Sequence, residues 1–238
     1  MLRHWVRVVS IGVLAVCSAS AIGTSVAETP PPANDPFRLY GNEIRFDVER
    51  DGNVVGQHVV TFTRTDRGVR ADSRADIDVQ LLFLSAYRFR YQAREVWSGG
   101  ELQSLDASTN DDGDYSHVQA VRDATGLLIS SSQGTYEAPS VPPISHWNAA
   151  LLKGGRLLNT MTGKLSQVQV FDQGSDTVAT RSGSLRAHHY LYSGDLNGEI
   201  WYDSDGRWVK LRFRANDGSI IDYICRRCRA PATITEAE

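Results

Sequence analysis

Much that would point to a chemistry is missing from this 238-residue chain. It has no Gly-x-Ser-x-Gly elbow, His-Glu-x-x-His helix, phosphate loop or dinucleotide fingerprint. The common hydrolase and nucleotide-enzyme signatures are therefore absent, which leaves open only an enzyme whose residues converge in space. A basic surplus is missing too: 25 Lys and Arg stand against 28 Asp and Glu, a net charge of −3. That balance excludes the basic footprint of a nucleic-acid binder. Cysteine is scarce, at three residues. Long apolar runs are confined to one near the N-terminus, from Val8 to about Ile22, short of the roughly 20 residues a membrane-spanning helix needs.

That run follows a basic start with Arg3 and Arg7 and leads to Thr24-Ser25-Val26-Ala27. A basic start, an apolar core and small residues before the break are the parts of a secretory signal peptide, with cleavage expected after Ala27. Lipid attachment at Cys17 ranks behind it. Leu14-Ala15-Val16-Cys17 resembles a lipobox, but Val16 stands where a small residue is wanted. Without the two leader arginines the charge becomes −5. The expected division is a signal peptide over 1–27, a Pro-rich linker over 28–38, one β domain over 39–225 and a tail over 226–238. The mature protein is expected in the periplasm, with no transmembrane helix and roughly 190 residues, enough for one core.

What the chain does have is period-two alternation. From Val69 to Phe83 apolar residues interleave with Arg70, Asp72, Arg74, Asp76, Asp78 and Gln80, and on the return run Tyr87, Phe89, Tyr91 and Ala93 interleave with Arg88, Arg90, Gln92 and Arg94. Each run has one face for a core and one for water. Gly, Asn and Asp turn signals such as Asp51-Gly52-Asn53, Asp111-Asp112-Gly113 and Asn216-Asp217-Gly218 separate thirteen such runs, the pattern of an antiparallel meander. A strand from Val69 to Leu84 would span about 50 Å at 3.3 Å per residue, so strong coiling is needed. The fold expected is all-β: one curved antiparallel meander forming a barrel or half-barrel. A loop at Leu84-Ser85-Ala86 would pair Phe83 with Tyr87, Leu81 with Phe89, Val79 with Tyr91 and Asp76 with Arg94. One segment breaks the pattern. Ser145 as N-cap and Gly154-Gly155 as stop predict a short helix near residues 145–153.

Few constellations carry chemistry. Cys225-Arg226-Arg227-Cys228 has the spacing of a redox site, with arginines that would favour a thiolate, but it trails a β meander rather than opening a βαβ unit. A disulfide between Cys225 and Cys228 is the expected use. Zinc would need four ligands, and adjacent His188 and His189 point to opposite faces. Asp111-Asp112-Gly113-Asp114 and Asp203-Ser204-Asp205-Gly206 lack the full calcium-loop spacing and read as turns. No metal and no cofactor are expected. Tyr87, Phe89, Tyr91, Trp147 and Trp201, with His146 at the helix entrance, are the candidate ligand-binding residues, as walls of an apolar cavity in a curved sheet.

The segment Gly198-Glu199-Ile200-Trp201-Tyr202-Asp203, continuing through Gly206-Arg207-Trp208 and Asp217-Gly218 to Tyr223, resembles a family of secreted Gram-negative proteins known as domain of unknown function 6134. Ile44-Arg45-Phe46-Asp47-Val48 with Gly56, the Tyr87 to Tyr91 strand, Ser145-His146-Trp147-Asn148 and Asn159 to Gly163 look like the same family. The resemblance spans nearly all of the mature chain and brings no catalytic residue. The Cys-x-x-Cys lies outside the shared pattern. More remotely, the layout is similar to periplasmic half-barrels that carry lipids or lipoproteins, an analogy of architecture. These readings lead to a non-catalytic binder of a hydrophobic or envelope-derived ligand. The alternatives are a hydrolase with its site near His146, and a structural or interaction module working through an exposed strand edge.

Overall fold

The computed structural model describes residues 35–81 and 84–229. The leader, Cys17, most of the Pro-rich stretch and the end of the tail lie outside the described residues, as does Phe83.

Among the described residues fourteen strands form one antiparallel sheet. In chain order they are β1 Glu43–Arg50, β2 Asn53–Thr65, β3 Gly68–Leu81, β4 Leu84–Ser98, β5 Glu101–Asp111, β6 Asp114–Arg122, β7 Leu127–Ser131, β8 Gly134–Ala138, β9 Gly155–Leu158, β10 Leu165–Thr180, β11 Gly183–Gly194, β12 Gly198–Asp203, β13 Trp208–Arg214 and β14 Ile220–Arg227. Each pairs with its sequence neighbour except at two places. β1 pairs with β14, so the first and last strands sit mid-sheet, and β8 and β9 form the two edges. The sheet is therefore a coiled half-barrel that does not close.

Inner-face rows run across the sheet, because directly paired residues share a face. Phe62, Ala71, Glu95 and Leu105 make one row, and His58, Ala75, Tyr91 and Thr109 another. The outer face of β3 and β4 is a charge ladder, with Arg94 to Asp72 at 2.8 Å, Arg90 to Asp78 at 2.6 Å and Arg88 to Asp78 at 3.1 Å. The β3–β4 pairing differs from expectation. Leu81 pairs with Leu84, so Leu84 is strand rather than loop, and Ile77 meets Phe89, Ala75 meets Tyr91 and Asp72 meets Arg94. From Val69 to Val79 the slide is an even number of residues, so those side chains and their partners keep the expected face, and a register shift between Val79 and Gln80 changes the parity beyond it.

Other local features have simple causes. Gln173-Gly174 is a bulge inside the single strand β10, with Asp172 Oδ1 accepting from the Gly174 N–H at 2.7 Å. Gly134, at a φ of 106°, reverses the chain between β7 and β8. A five-residue helix, α1 Pro36–Tyr40, opens inside the stretch read as linker, with Asp35 as N-cap accepting from the Phe37 N–H at 3.0 Å. The helix expected near 145–153 is a 3-10 turn over Ala149–Lys153, capped by Asn148 rather than Ser145. Beyond its bulge the β10–β11 hairpin reaches the outside of β14 and β1. There the Arg181 N–H donates to the Cys225 carbonyl at 2.9 Å, and the Arg181 guanidinium pairs with Asp47 at 2.7 Å. Cys225 and Cys228 are disulfide-bonded, Cα atoms 5.9 Å apart, and Arg226 between them reaches Asp47 at 2.9 Å.

Candidate functional site

The chain between the two sheet edges plugs one end of the half-barrel. Pro142 and Ile144 bond along Leu158, covering the outer side of β9. Ser145 to Asn148 then enter the interior in an extended and turned conformation. Two tyrosines hold the segment by its backbone. The Tyr40 hydroxyl donates to the Trp147 carbonyl at 3.0 Å, and the Tyr202 hydroxyl donates to the His146 carbonyl at 2.7 Å. Tyr40 also accepts from the Trp208 N–H at 3.0 Å, joining the plug to β13.

Beneath the plug lies Glu95, 1% exposed. The Ser145 hydroxyl donates to its Oε1, and the Trp97 indole N–H donates to its Oε2 at 2.8 Å. The Trp147 indole N–H acts on the same carboxyl from outside good hydrogen-bond geometry. Burial outweighs these donors and pushes the carboxyl above its ordinary value. Trp147 packs edge-on against Trp97 and Phe62, centroids 5.5 and 5.2 Å apart. It is a core residue of the plug.

The other end of the inner face is built differently. The Phe62, Ala71, Glu95 and Leu105 row is 4%, 0%, 1% and 2% exposed, whereas Val79, Tyr87, Phe89 and Tyr91 are only half-buried. Phe213, on the inner face of β13, is also half-buried. Tyr87 is tied to Asp111 at 2.7 Å and Tyr91 to Thr160 at 2.8 Å. Desolvation raises the hydroxyls of Tyr87, Tyr91 and Tyr192, and Tyr223 adds to each shift, placing all three within its electrostatic reach. Burial pushes Tyr223 itself up to about 12.

Between the packed end and the open end sit two histidines. His146 lies 5.2 Å from Trp208 and 6.5 Å from Tyr192, and burial lowers its pKa to about 4. His58, on the inner face of β2, is edge-on to Trp208 and Tyr223 at 5.6 Å each. Burial and then His146 lower its pKa to about 3.

The structure thus brings Tyr87, Phe89 and Tyr91 together, places His146 behind them and seals Trp147 in the plug. Trp201 does not join them. It pairs with Lys210, whose neighbour Ile224 faces outward opposite Tyr223, so Trp201 lies on the other side of the sheet. There it stacks on His189 at 4.3 Å, lies under the Lys210 ammonium at 4.7 Å and donates to Asp176 at 3.0 Å. His189 lies 3.1 Å from Asp176 and 2.8 Å from Glu199, while His188 pairs with inward Tyr202. Among the described residues no group of three or more His, Cys, Asp or Glu is placed to hold a metal ion, and no helix is long and apolar enough to cross a membrane. Glu95, His58 and Tyr223 are the residues that sequence reasoning missed. Alternation carried the signal, since Glu95 is in phase with Tyr91, Ala93 and Trp97, and His58 with Val60 and Phe62.

The fold has a solved counterpart. The crystal structure of a beta-barrel-like protein of domain of unknown function DUF1849 from Brucella abortus is similar at a TM-score of 0.59 and 11% identity, over 80% of this chain and 98% of that one. No curated protein matches the chain. The model of one family, described as Domain of unknown function (DUF6134), matches residues 46–226, and with strands β1 to β14 inside or overlapping that span the chain belongs to the DUF6134 family.

Proposed function

We propose that this protein is a non-catalytic binder of the bacterial envelope, acting in the periplasm, that holds a hydrophobic or envelope-derived ligand at the open end of the half-barrel. The observation that carries this reading is the gradient of burial along one inner face. The plug end is closed by Tyr40, Trp97 and Trp147, while Tyr87, Phe89 and Tyr91 are only half-buried on the same face. Half-covered aromatic rings on a concave sheet gain free energy from an apolar partner, at about 25 cal/mol per Å² buried. The leader-like N-terminus supports the compartment. A hydrolase at His146 is less well supported, because Ser145 is engaged by Glu95 while the His146 ring lies against Trp208 and Tyr192. A nucleophile needs its base within hydrogen-bond reach.

Titration with the dye N-phenyl-1-naphthylamine tests the reading. Saturable fluorescence enhancement is expected for the wild type, with at least tenfold weaker binding for Phe89→Asp at unchanged near-UV circular dichroism. Absence of saturable binding, or equal affinity in the variant, overturns it.

A further inference from the structure

The row just inside the aromatic rim contains a polar group with nothing to bond. His58 pairs with Phe46 on one side and Ala75 on the other, and Ala75 pairs with Tyr91, so small Ala75 separates the imidazole from the Tyr91 ring. Both ring nitrogens of His58 are shielded from solvent and have no hydrogen-bond partner among the described residues. Thr109, beyond Tyr91 in the same row, has a buried hydroxyl in the same condition. A neutral imidazole carries one donor and one acceptor, and each left unpaired costs about 1–3 kcal/mol. Unpaired buried groups are few in native proteins, and two in one cross-strand row next to an open aromatic face call for a reason.

The ring over His58 is held by packing alone, with Tyr223 lying against Phe46, Trp208 and Phe213 at 6.4, 6.0 and 6.3 Å. The Tyr223 ring sits edge-on to His58 at 5.6 Å, and burial alone, with no hydrogen bond, sets the state of its hydroxyl. An entering group that displaces the Tyr223 ring would therefore break no hydrogen bond. The chemistry of that group follows from charge. His58 faces Phe46, Ala75, Trp208, Tyr223 and His146, and burial keeps both imidazoles uncharged at neutral pH. A carboxylate or phosphate brought there would lose its water without gaining a countercharge. A hydroxyl or ester group meets the donor and acceptor needs of a neutral imidazole.

We infer that His58, with Thr109 at the far end of the same row beyond Ala75 and Tyr91 and with Tyr223 as its movable cover, is the polar anchor of the ligand site, and that the ligand is an uncharged amphiphile whose hydroxyl or ester end reaches this row while its apolar body lies along Phe89 and Tyr87. This rests on the binding reading above and adds the ligand's chemical class.

The probes are 1-monooleoylglycerol and oleate, titrated calorimetrically at pH 8 into the mature protein. Wild type is expected to bind the glyceride at least tenfold more tightly than oleate. His58→Phe should erase that preference by weakening the glyceride at least tenfold, with Tm equal or higher because an unpaired polar group is gone. Thr109→Val, nearly isosteric, should weaken the glyceride severalfold and serves as the second variant if His58→Phe folds poorly. Oleate binding as tightly as the glyceride, or variants within twofold of wild type, would overturn the anchor while leaving dye binding, and so the binding reading, intact. If the wild type binds neither dye nor glyceride, both fail together.

Discussion

Glu95 and Ser145 are hydrogen-bonded inside the half-barrel, fifty residues apart in sequence, and this pair ties the segment between the two sheet edges to the inner face of β4. The carboxyl is 1% exposed and held above its ordinary value by burial. The folded protein therefore binds the Glu95 proton more tightly than the unfolded chain does. Its contribution is fully present below the ordinary value of 4.5 and is lost as pH rises towards the raised one. Glu95→Gln keeps an acceptor oxygen for the Trp97 indole N–H and turns its amide N–H towards the Ser145 hydroxyl oxygen, without the cost of ionisation. The variant's stability relative to wild type is expected to rise between pH 4.5 and pH 8, read from urea unfolding at both pH values.

The two histidines act in the opposite direction. His58 and His146 have folded pKa values near 3 and 4, below the ordinary 6.5, so the unfolded chain takes up protons first as pH falls. Stability is unaffected above about pH 6.5 and declines below it, by up to about 1.4 kcal/mol per pH unit for each imidazole. Thermal unfolding between pH 7.5 and 4.5 should show Tm falling through this window. His58→Phe should make the fall shallower.

Tyr40 joins three elements through one oxygen, donating to the Trp147 carbonyl and accepting from the Trp208 N–H. Tyr40→Phe keeps the ring stacked on Phe62 but leaves both backbone groups buried and unpaired. A loss of about 2–4 kcal/mol is expected, measured by chemical denaturation. An equivalent loss for Tyr87→Phe is not expected, since its partner Asp111 is exposed.

Gly198 faces Tyr192 across the β11–β12 pair, and a Cβ built there would lie 2.7 Å from the Tyr192 hydroxyl oxygen and 3.0 Å from the Arg212 carbonyl oxygen. Gly198→Ala must push the Tyr192 ring from its place beside His146. Destabilisation of about 1–3 kcal/mol is expected, together with a changed near-UV circular dichroism signal.

The strands were readable because period two and the turn residues both act locally. The face assignments of Ala71, Ala75, Ile77, Phe89 and Tyr91 survive even though the β3–β4 register slid, since an even slide preserves parity. The closing relationships were not readable. Pairing of β1 with β14 joins Phe46 to Cys225 across most of the chain, and no local pattern encodes it. Nothing local in sequence separates Trp201 from the inner aromatics, and only the partner strand β13 reveals its outward face. Glu95 and His58 had the right phase, but polar residues on an apolar face look like exceptions until their depth is known.

The central claim is that the open end of the half-barrel holds an uncharged amphiphile. Native mass spectrometry of the protein purified without detergent from the cells that make it reads this most directly. A complex heavier than the polypeptide by one lipid-sized, uncharged molecule, released on unfolding, is predicted. A single species at the bare polypeptide mass would contradict it.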